Sequence, residues 1–254
     1  MAVEIERRPG VGILRINRPG ARNAVNGAVA QGMEAGLDEF ESDSEVQAVV
    51  VTGTGSVFSA GADLKLVASG RAGEIATKRG NFAGIVRRDF PKPLIAAVNG
   101  PALAGGFEIV LACDLVVAAE NAVFGIPEAK RGLVAAAGGL IRLPKRVPLA
   151  LATELAITGD PIDAARAHQL GLVNRVVPGE QLLDEALALA GRIAENAPLA
   201  VRNALRMVRE AVDLDEEAAW ARNNELAVEV FSSPDAVEGA TAFAEKRPPR
   251  WTSA

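Results

Sequence analysis

The sequence predicts an α/β fold whose first part pairs strands in parallel and whose last part is helical. Short apolar strands alternate with helical segments over residues 1–195, the order that yields parallel pairing with right-handed crossovers. Beyond Gly138 the apolar spacing turns almost entirely helical, and residues 196–254 read as a helical region. At 254 residues and 49% hydrophobic, the chain is long enough to bury a large core without disulfide or metal staples.

Taken in order, Val3 to Glu6 and Val11 to Asn17 alternate around Pro9-Gly10 and read as a hairpin. Asn26 can cap a helix through about Glu41, in which Val29, Met33, Leu37 and Phe40 recur at helical spacing. Val46 to Thr52 and Leu94 to Val98 read as buried strands, and Leu115 to Ala119 and Ala122 to Phe124 as two shorter ones. Helices follow over 149–157, 163–168, 181–195, 199–212, 216–231 and 235–245, and among them only Leu172 to Val177 reads as a strand. No repeat at a solenoid period is evident.

A net charge of −5 argues against general attraction to nucleic acid or anionic lipid. The single cysteine, Cys113, excludes an internal disulfide framework and lies in an apolar run that suits a buried, inert thiol. Met1 to Ile16 alternates charged and apolar residues and so lacks the apolar core of a signal peptide, and no run is long enough for a membrane span. A cytoplasmic location is the expectation.

The chemistry concentrates in Ala97-Val98-Asn99-Gly100-Pro101-Ala102-Leu103-Ala104-Gly105-Gly106-Phe107-Glu108. Glycines between a strand and a helix let a reacting oxygen reach backbone N–H groups, and the helix N-terminus adds positive potential. The same residues also make an ordinary tight turn. Glu108 falls on the face of the Gly105 turn and is flanked by Phe107 and Ile109-Val110-Leu111, so the helix is largely buried and an unpartnered carboxylate there would be costly. Glu128, after Pro127, fits the first turn of a helix as well as an active site. Together, two carboxylates on one water repel, so that one holds a proton while the other accepts one, which suits moving water across a double bond.

Phe58-Ser59-Ala60-Gly61-Ala62-Asp63-Leu64-Lys65 repeats the pattern of small residues after a strand, with Asp63 placed to cap a helix from Leu64. His168, the only histidine, fits a structural role in its Ala-rich helix. Ser56 and Ser59 lack the Gly-x-Ser-x-Gly elbow, and no His/Cys cluster offers metal ligands.

At these residues the chain resembles the crotonase, or enoyl-CoA hydratase/isomerase, superfamily. The resemblance runs from Asn17-Arg18-Pro19 and Arg22-Asn23-Ala24 to Ala242-Phe243-Ala244-Glu245-Lys246-Arg247. It implies a spiral of β-β-α units with a helical C-terminal region, assembled as a homotrimer or as a hexamer built from two trimers. Ala60 and Gly105 match the backbone donors of its oxyanion hole, and Glu108 and Glu128 match its two glutamates. Ala62, Asp63 and Leu64 match the loop along the CoA arm, Ala24 a contact near the adenine, and Phe243 and Lys246 a C-terminal pair that reaches CoA. A cationic Lys246 or Arg22 beside a ribose phosphate is physically sensible, and either equally fits a solvated surface charge. The implied partner is an acyl-CoA thioester, with CoA part of the substrate and no separate cofactor or metal.

Three departures stand out: Ala104 where relatives often carry glycine, Pro101 for an aromatic, and Ala135-Ala136 for Pro-Gly in the loop near the catalytic water, which marks Ala136 as a water-positioning residue. Phe124-x-x-Pro127-Glu128-Ala129-Lys130 and Glu245-Lys246-Arg247-x-Pro249-x-Trp251 are closer to crotonobetainyl-CoA hydratase-like members. The expected reaction is hydration of a 2-enoyl-CoA. An isomerase, a non-catalytic CoA- or RNA-binding homologue and a Clp-type serine protease of related fold are the alternatives.

Overall fold

The computed structural model describes residues 1–252. The chain opens with a hairpin of β1 (Val3–Arg8) and β2 (Val11–Ile16), turning at Gly10, then helix α1 (Gly27–Ser42) and β3 (Ala48–Gly53). Asn26 caps α1 by accepting from the Val29 N–H at 3.1 Å, and Val29, Met33, Leu37 and Phe40 line its buried stripe. Next come α2 (Leu64–Ala68), the two-residue strands β4 (Ala76–Thr77) and β5 (Asn81–Phe82), β6 (Leu94–Val98) and β7 (Ala102–Leu103). Helix α3 (Gly105–Ala112), β8 (Leu115–Ala119), β9 (Val123–Gly125), α4 (Gly139–Arg146) and α5 (Leu149–Thr158) follow. The remainder is β10 (Ile162–Asp163), α6 (Ala164–Gln169), β11 (Arg175–Val177), α7 (Leu182–Ala194), α8 (Pro198–Ala211), α9 (Glu216–Phe231) and α10 (Pro234–Glu245).

The main sheet runs β1-β2-β3-β6-β8-β11. Only the β1–β2 pair is antiparallel; each later neighbour is parallel. Its central strands are buried on both faces, which is why they read as unbroken apolar runs. Leu14, Val49, Val51, Ala96 and Val116 face the large core beneath α1 and α3, whereas Val50, Ile95 and Val117 face α7. Cys113 is fully buried and its thiol is pushed up to about 12 by desolvation, so it is inert.

A second sheet, in the order β10-β9-β7, positions the chemistry. β7 and β9 pair in parallel, Ala102 opposite Phe124 and Leu103 opposite Gly125. Because both strands point the same way, the segments leaving them emerge side by side. One is α3, which carries Glu108; the other is a 3-10 turn over Pro127–Arg131, which carries Glu128.

The strand expected over residues 172–177 is confined to Arg175–Val177, because Leu172 and Val173 turn back to the Ala167 carbonyl at the end of α6. Helix α4 lies where the sequence pattern gave no helix, since Pro144 stands inside it. Among the described residues no helix is long and apolar enough to cross a membrane.

Candidate active site

α3 starts from an unusual backbone. Ala104 has φ 53° and ψ −130°, a region that a Cβ disfavours and glycine tolerates. Its N–H is tied to the Gly125 carbonyl at 2.9 Å, and its carbonyl accepts from the Phe107 and Glu108 N–H groups, so the surrounding structure holds the turn in place. This is the position at which relatives often carry glycine. Replacing Ala104 with Gly is expected to raise stability by about 1 kcal/mol, the relieved strain less glycine's larger unfolded-state entropy. For a chain of this size that is about 2–4 °C in Tm by thermal melt.

The Phe58-to-Asp63 loop packs directly on the α3 N-terminus. A Cβ on Gly106 would fall 2.1 Å from the Ser59 carbonyl oxygen, and one on Gly61 would fall 2.7 Å from the Gly105 nitrogen. Only glycine permits these approaches. The loop itself is anchored by a parallel bridge between Val25 and Ala62, in which the Val25 N–H donates to the Gly61 carbonyl and the Asp63 N–H to the Val25 carbonyl. That bridge uses the backbone groups on either side of Ala62 and turns the Ala62 N–H the other way. Among the described residues the Ala62 and Gly105 N–H groups have no protein acceptor, while the Ala60 N–H donates to the Arg22 carbonyl at 3.0 Å. Ala60, expected as an oxyanion donor, is therefore already engaged, and the free amide lies two residues further on.

Glu108 is buried, with 3% of its surface exposed. Its Oε1 accepts from the Ala137 N–H at 2.7 Å and from the Gly139 N–H at 2.8 Å. Burial raises its pKa, opposed by those two backbone donors and by the Arg142 charge. Ala136 is itself exposed, and its loop reaches Glu108 through its neighbours Ala137 and Gly139. Arg142 extends the loop's support: its guanidinium donates to the Val86 carbonyl and lies at 3.5 Å from the Ala137 carbonyl.

Glu128 sits in a different environment. Its Oε2 is buried and has no hydrogen-bond partner among the described residues. Desolvation, with the Glu108 charge as a further contribution, pushes its pKa up to about 7. One carboxylate thus receives two donors that favour its ionised form, and the other is left in a place that favours the protonated form.

This arrangement has a stability consequence with a definite sign. Glu128 holds its proton more tightly folded than unfolded, so its ionisation destabilises the fold as pH rises from the unfolded carboxylate range through about 7. Glu128→Gln is expected to be more stable than the parent at pH 8 by about 2 kcal/mol, a gain that vanishes near pH 4. Urea melts at the two pH values check it.

The other expected site residues are distributed as follows. Asp63 caps α2 through the Lys65 N–H and forms an ion pair with Arg18, whose guanidinium also donates to the Ala24 carbonyl. Leu64 is 48% exposed at the start of α2, and Arg22 is exposed with φ 52°. A cavity of about 580 Å³ opens beside this loop between α1 and α2, lined by Asn26, Gln31, Asp63, Lys65, Leu66 and Arg71 among others. Phe243, 87% exposed, and Lys246, which ends α10 in the left-handed conformation, stand on the C-terminal helix. Beyond Lys246 the chain is fastened back: Arg247 pairs with Glu238, and the Trp251 indole donates to the Glu195 carbonyl at 2.8 Å.

A serine hydrolase does not fit. Ser59 Oγ is buried, donating to the Asn23 carbonyl and accepting from the Gly61 N–H, and the His168 ring is bonded to the Val173 carbonyl. Among the described residues no cluster of three or more His, Cys, Asp or Glu could hold a metal ion.

The sequence profile of the enoyl-CoA hydratase/isomerase family matches residues 6–254. Over 253 residues the chain is 42% identical to the enoyl-CoA hydratase EchA19 of Mycobacterium tuberculosis, covering 97% of this chain and 95% of that one. It is 41% identical over 244 residues to a carnitinyl-CoA dehydratase of Citrobacter koseri, covering 94% and 93%. A crystal structure of an enoyl-CoA hydratase from Mycobacterium tuberculosis superposes with a TM-score of 0.96 at 48% identity, covering 100% of this chain and 99% of that one. The sheet and the helical C-terminal region are therefore those of a crotonase fold, and the chain belongs to the enoyl-CoA hydratase/isomerase family.

Proposed function

We propose that the protein is an enoyl-CoA hydratase that adds water reversibly across the double bond of a 2-enoyl-CoA thioester, giving the 3-hydroxyacyl-CoA. The observation that carries this reading is the asymmetric carboxylate pair, Glu108 with two backbone donors and Glu128 with none on Oε2. The thioester oxygen lies on the N–H groups of Ala62 and Gly105, at the positive end of α3. Glu108, ionised, takes a proton from a water whose oxygen attacks C3. Electron density moves through C2 onto the thioester oxygen, and the enolate is held by the two amides. Glu128 then delivers its proton to C2, and a proton passing from Glu108 to Glu128 through the next water restores the pair. Carboxylates and amide dipoles suffice for these steps, so the reading needs no metal or organic cofactor.

The CoA arm lies, in this reading, along Ala24 and Ala62 to Leu64, with Arg22 and Lys246 as candidates for its phosphates and Phe243 reaching a neighbouring subunit. Phe231, Val237, Val228 and Trp220 are 60% exposed or more on α9 and α10, apolar surface that a homotrimer or hexamer would cover. Light scattering that returned a monomer would contradict this part. A cytoplasmic location completes the reading.

A second acyl group is favoured by the 41% identity to carnitinyl-CoA dehydratases: the same hydration with crotonobetainyl-CoA as the unsaturated ester. Loss of the enoyl-thioester absorbance across a panel of CoA esters that includes crotonyl- and crotonobetainyl-CoA tests both. Turnover is expected on at least one ester, and none on any would contradict the hydratase reading.

A further inference from the structure

Phe82 lies against the glycine that carries one of the two free amides. Built onto Gly105, a Cβ would meet the Phe82 ring tip, with Cζ at 2.4 Å and Cε1 at 2.6 Å. The nitrogen and the Cβ position of a residue share one Cα, so the ring tip stands within about 5 Å of the Gly105 nitrogen. An oxygen bound there sits about 3 Å from that nitrogen, with the thioester carbon and C2 one and two bonds beyond it. The Phe82 ring therefore stands within a few ångströms of where an oxygen held by the Gly105 N–H would lie.

The backbone that carries Phe82 is built to keep it there. Asn81 and Ala83 on either side have φ of 58° and 55°, a left-handed conformation uncommon for residues with a Cβ. The turn is clamped from α1: the Glu34 carboxylate accepts from the Arg79 N–H at 3.2 Å, the Gly80 N–H at 2.8 Å and the Thr77 hydroxyl. Asn81 Oδ1 accepts from the Phe82 N–H at 2.7 Å. The residue is 7% exposed and packs in the main core cluster. Strained positions that the surroundings over-determine mark places where geometry serves function.

We propose that Phe82 is a specificity-determining residue that limits the room beside C2 of the acyl group, so that linear acyl thioesters are accepted and those branched at C2 are rejected. The inference rests on the hydratase reading for the placement of the thioester, but its test does not depend on turnover. Dissociation constants for butyryl-CoA and isobutyryl-CoA, isomers that differ only in branching, are measured on the parent, Phe82→Leu and Phe82→Ala. The parent is expected to favour the linear ester by about 10-fold or more, the scale of one misplaced methyl group. Phe82→Ala is expected to bring the ratio within about 3-fold, with Phe82→Leu between, since Leu refills the core while shortening the tip. The ratio of kcat/KM for crotonyl-CoA over methacrylyl-CoA, again linear and branched isomers, is expected to move with it. A binding ratio equal to the parent's in Phe82→Leu, or in Phe82→Ala where it folds, overturns the proposal whether or not the esters are hydrated. Failure of hydration with a shifted binding ratio overturns the hydratase reading instead.

Discussion

Replacing Glu128 with Gln is expected to lower kcat for hydration by about 10²- to 10⁴-fold, the usual contribution of a positioned general acid or base. Glu108→Gln is expected to fall in the same range. The two losses come from different steps. Glu128→Gln removes the proton destined for C2, while Glu108→Gln keeps an oxygen to accept the Ala137 and Gly139 N–H groups but can no longer take a proton from water. The double variant is expected to lose little more than either single one, because groups acting as a unit are not additive. The pH dependence follows from the same pair. Catalysis requires the dyad to hold one proton, and Glu128 gives that proton up near pH 7. The rate should therefore fall as pH rises above about 7, in both directions of the reaction, since hydration and dehydration use the same singly protonated dyad. In Glu128→Gln this alkaline limb should disappear from the residual activity. Steady-state rates across pH, read by enoyl-thioester absorbance, check the limb and the losses together.

Replacing Ala62 with Pro is expected to lower kcat by about 10²- to 10³-fold, the cost of losing one oxyanion donor. Proline removes the donor, and among the described residues the Ala62 N–H makes no protein hydrogen bond that would be lost with it. The substrate's ground state gains less from this donor than the enolate does, so binding of a saturated acyl-CoA should weaken far less than kcat. Were Ala60 the donor instead, the Ala62 substitution would leave kcat near the parent's value. The existing bond from the Ala60 N–H to the Arg22 carbonyl argues for Ala62.

Much of the site could be read from local sequence because its determinants are local. A glycine pair at a strand-to-helix junction, followed one helical turn later by Glu108, is one continuous segment, and Asn26 and Asp63 act as caps within two or three residues of their own helices. The choice between Ala60 and Ala62 is not local. It depends on a bridge to Val25, which decides the direction each amide in the loop faces, and no spacing within the loop records that pairing. The meeting of Glu108 and Glu128 likewise depends on β7 and β9, strands of two and three residues that are too short for a periodic pattern to appear. Phe82 and the loop donors Ala137 and Gly139 were invisible for related reasons. Asn81 and Ala83 adopt positive φ without glycine to signal it, and the donors are backbone groups that any residue type could supply.

The most direct test is hydration of crotonyl-CoA in isotopically labelled water. In oxygen-labelled water, the account predicts a 3-hydroxybutyryl-CoA carrying one labelled oxygen at C3, and in heavy water a single deuterium at C2. A C4 thioester recovered without label at either carbon, or one whose double bond has only migrated, would contradict it.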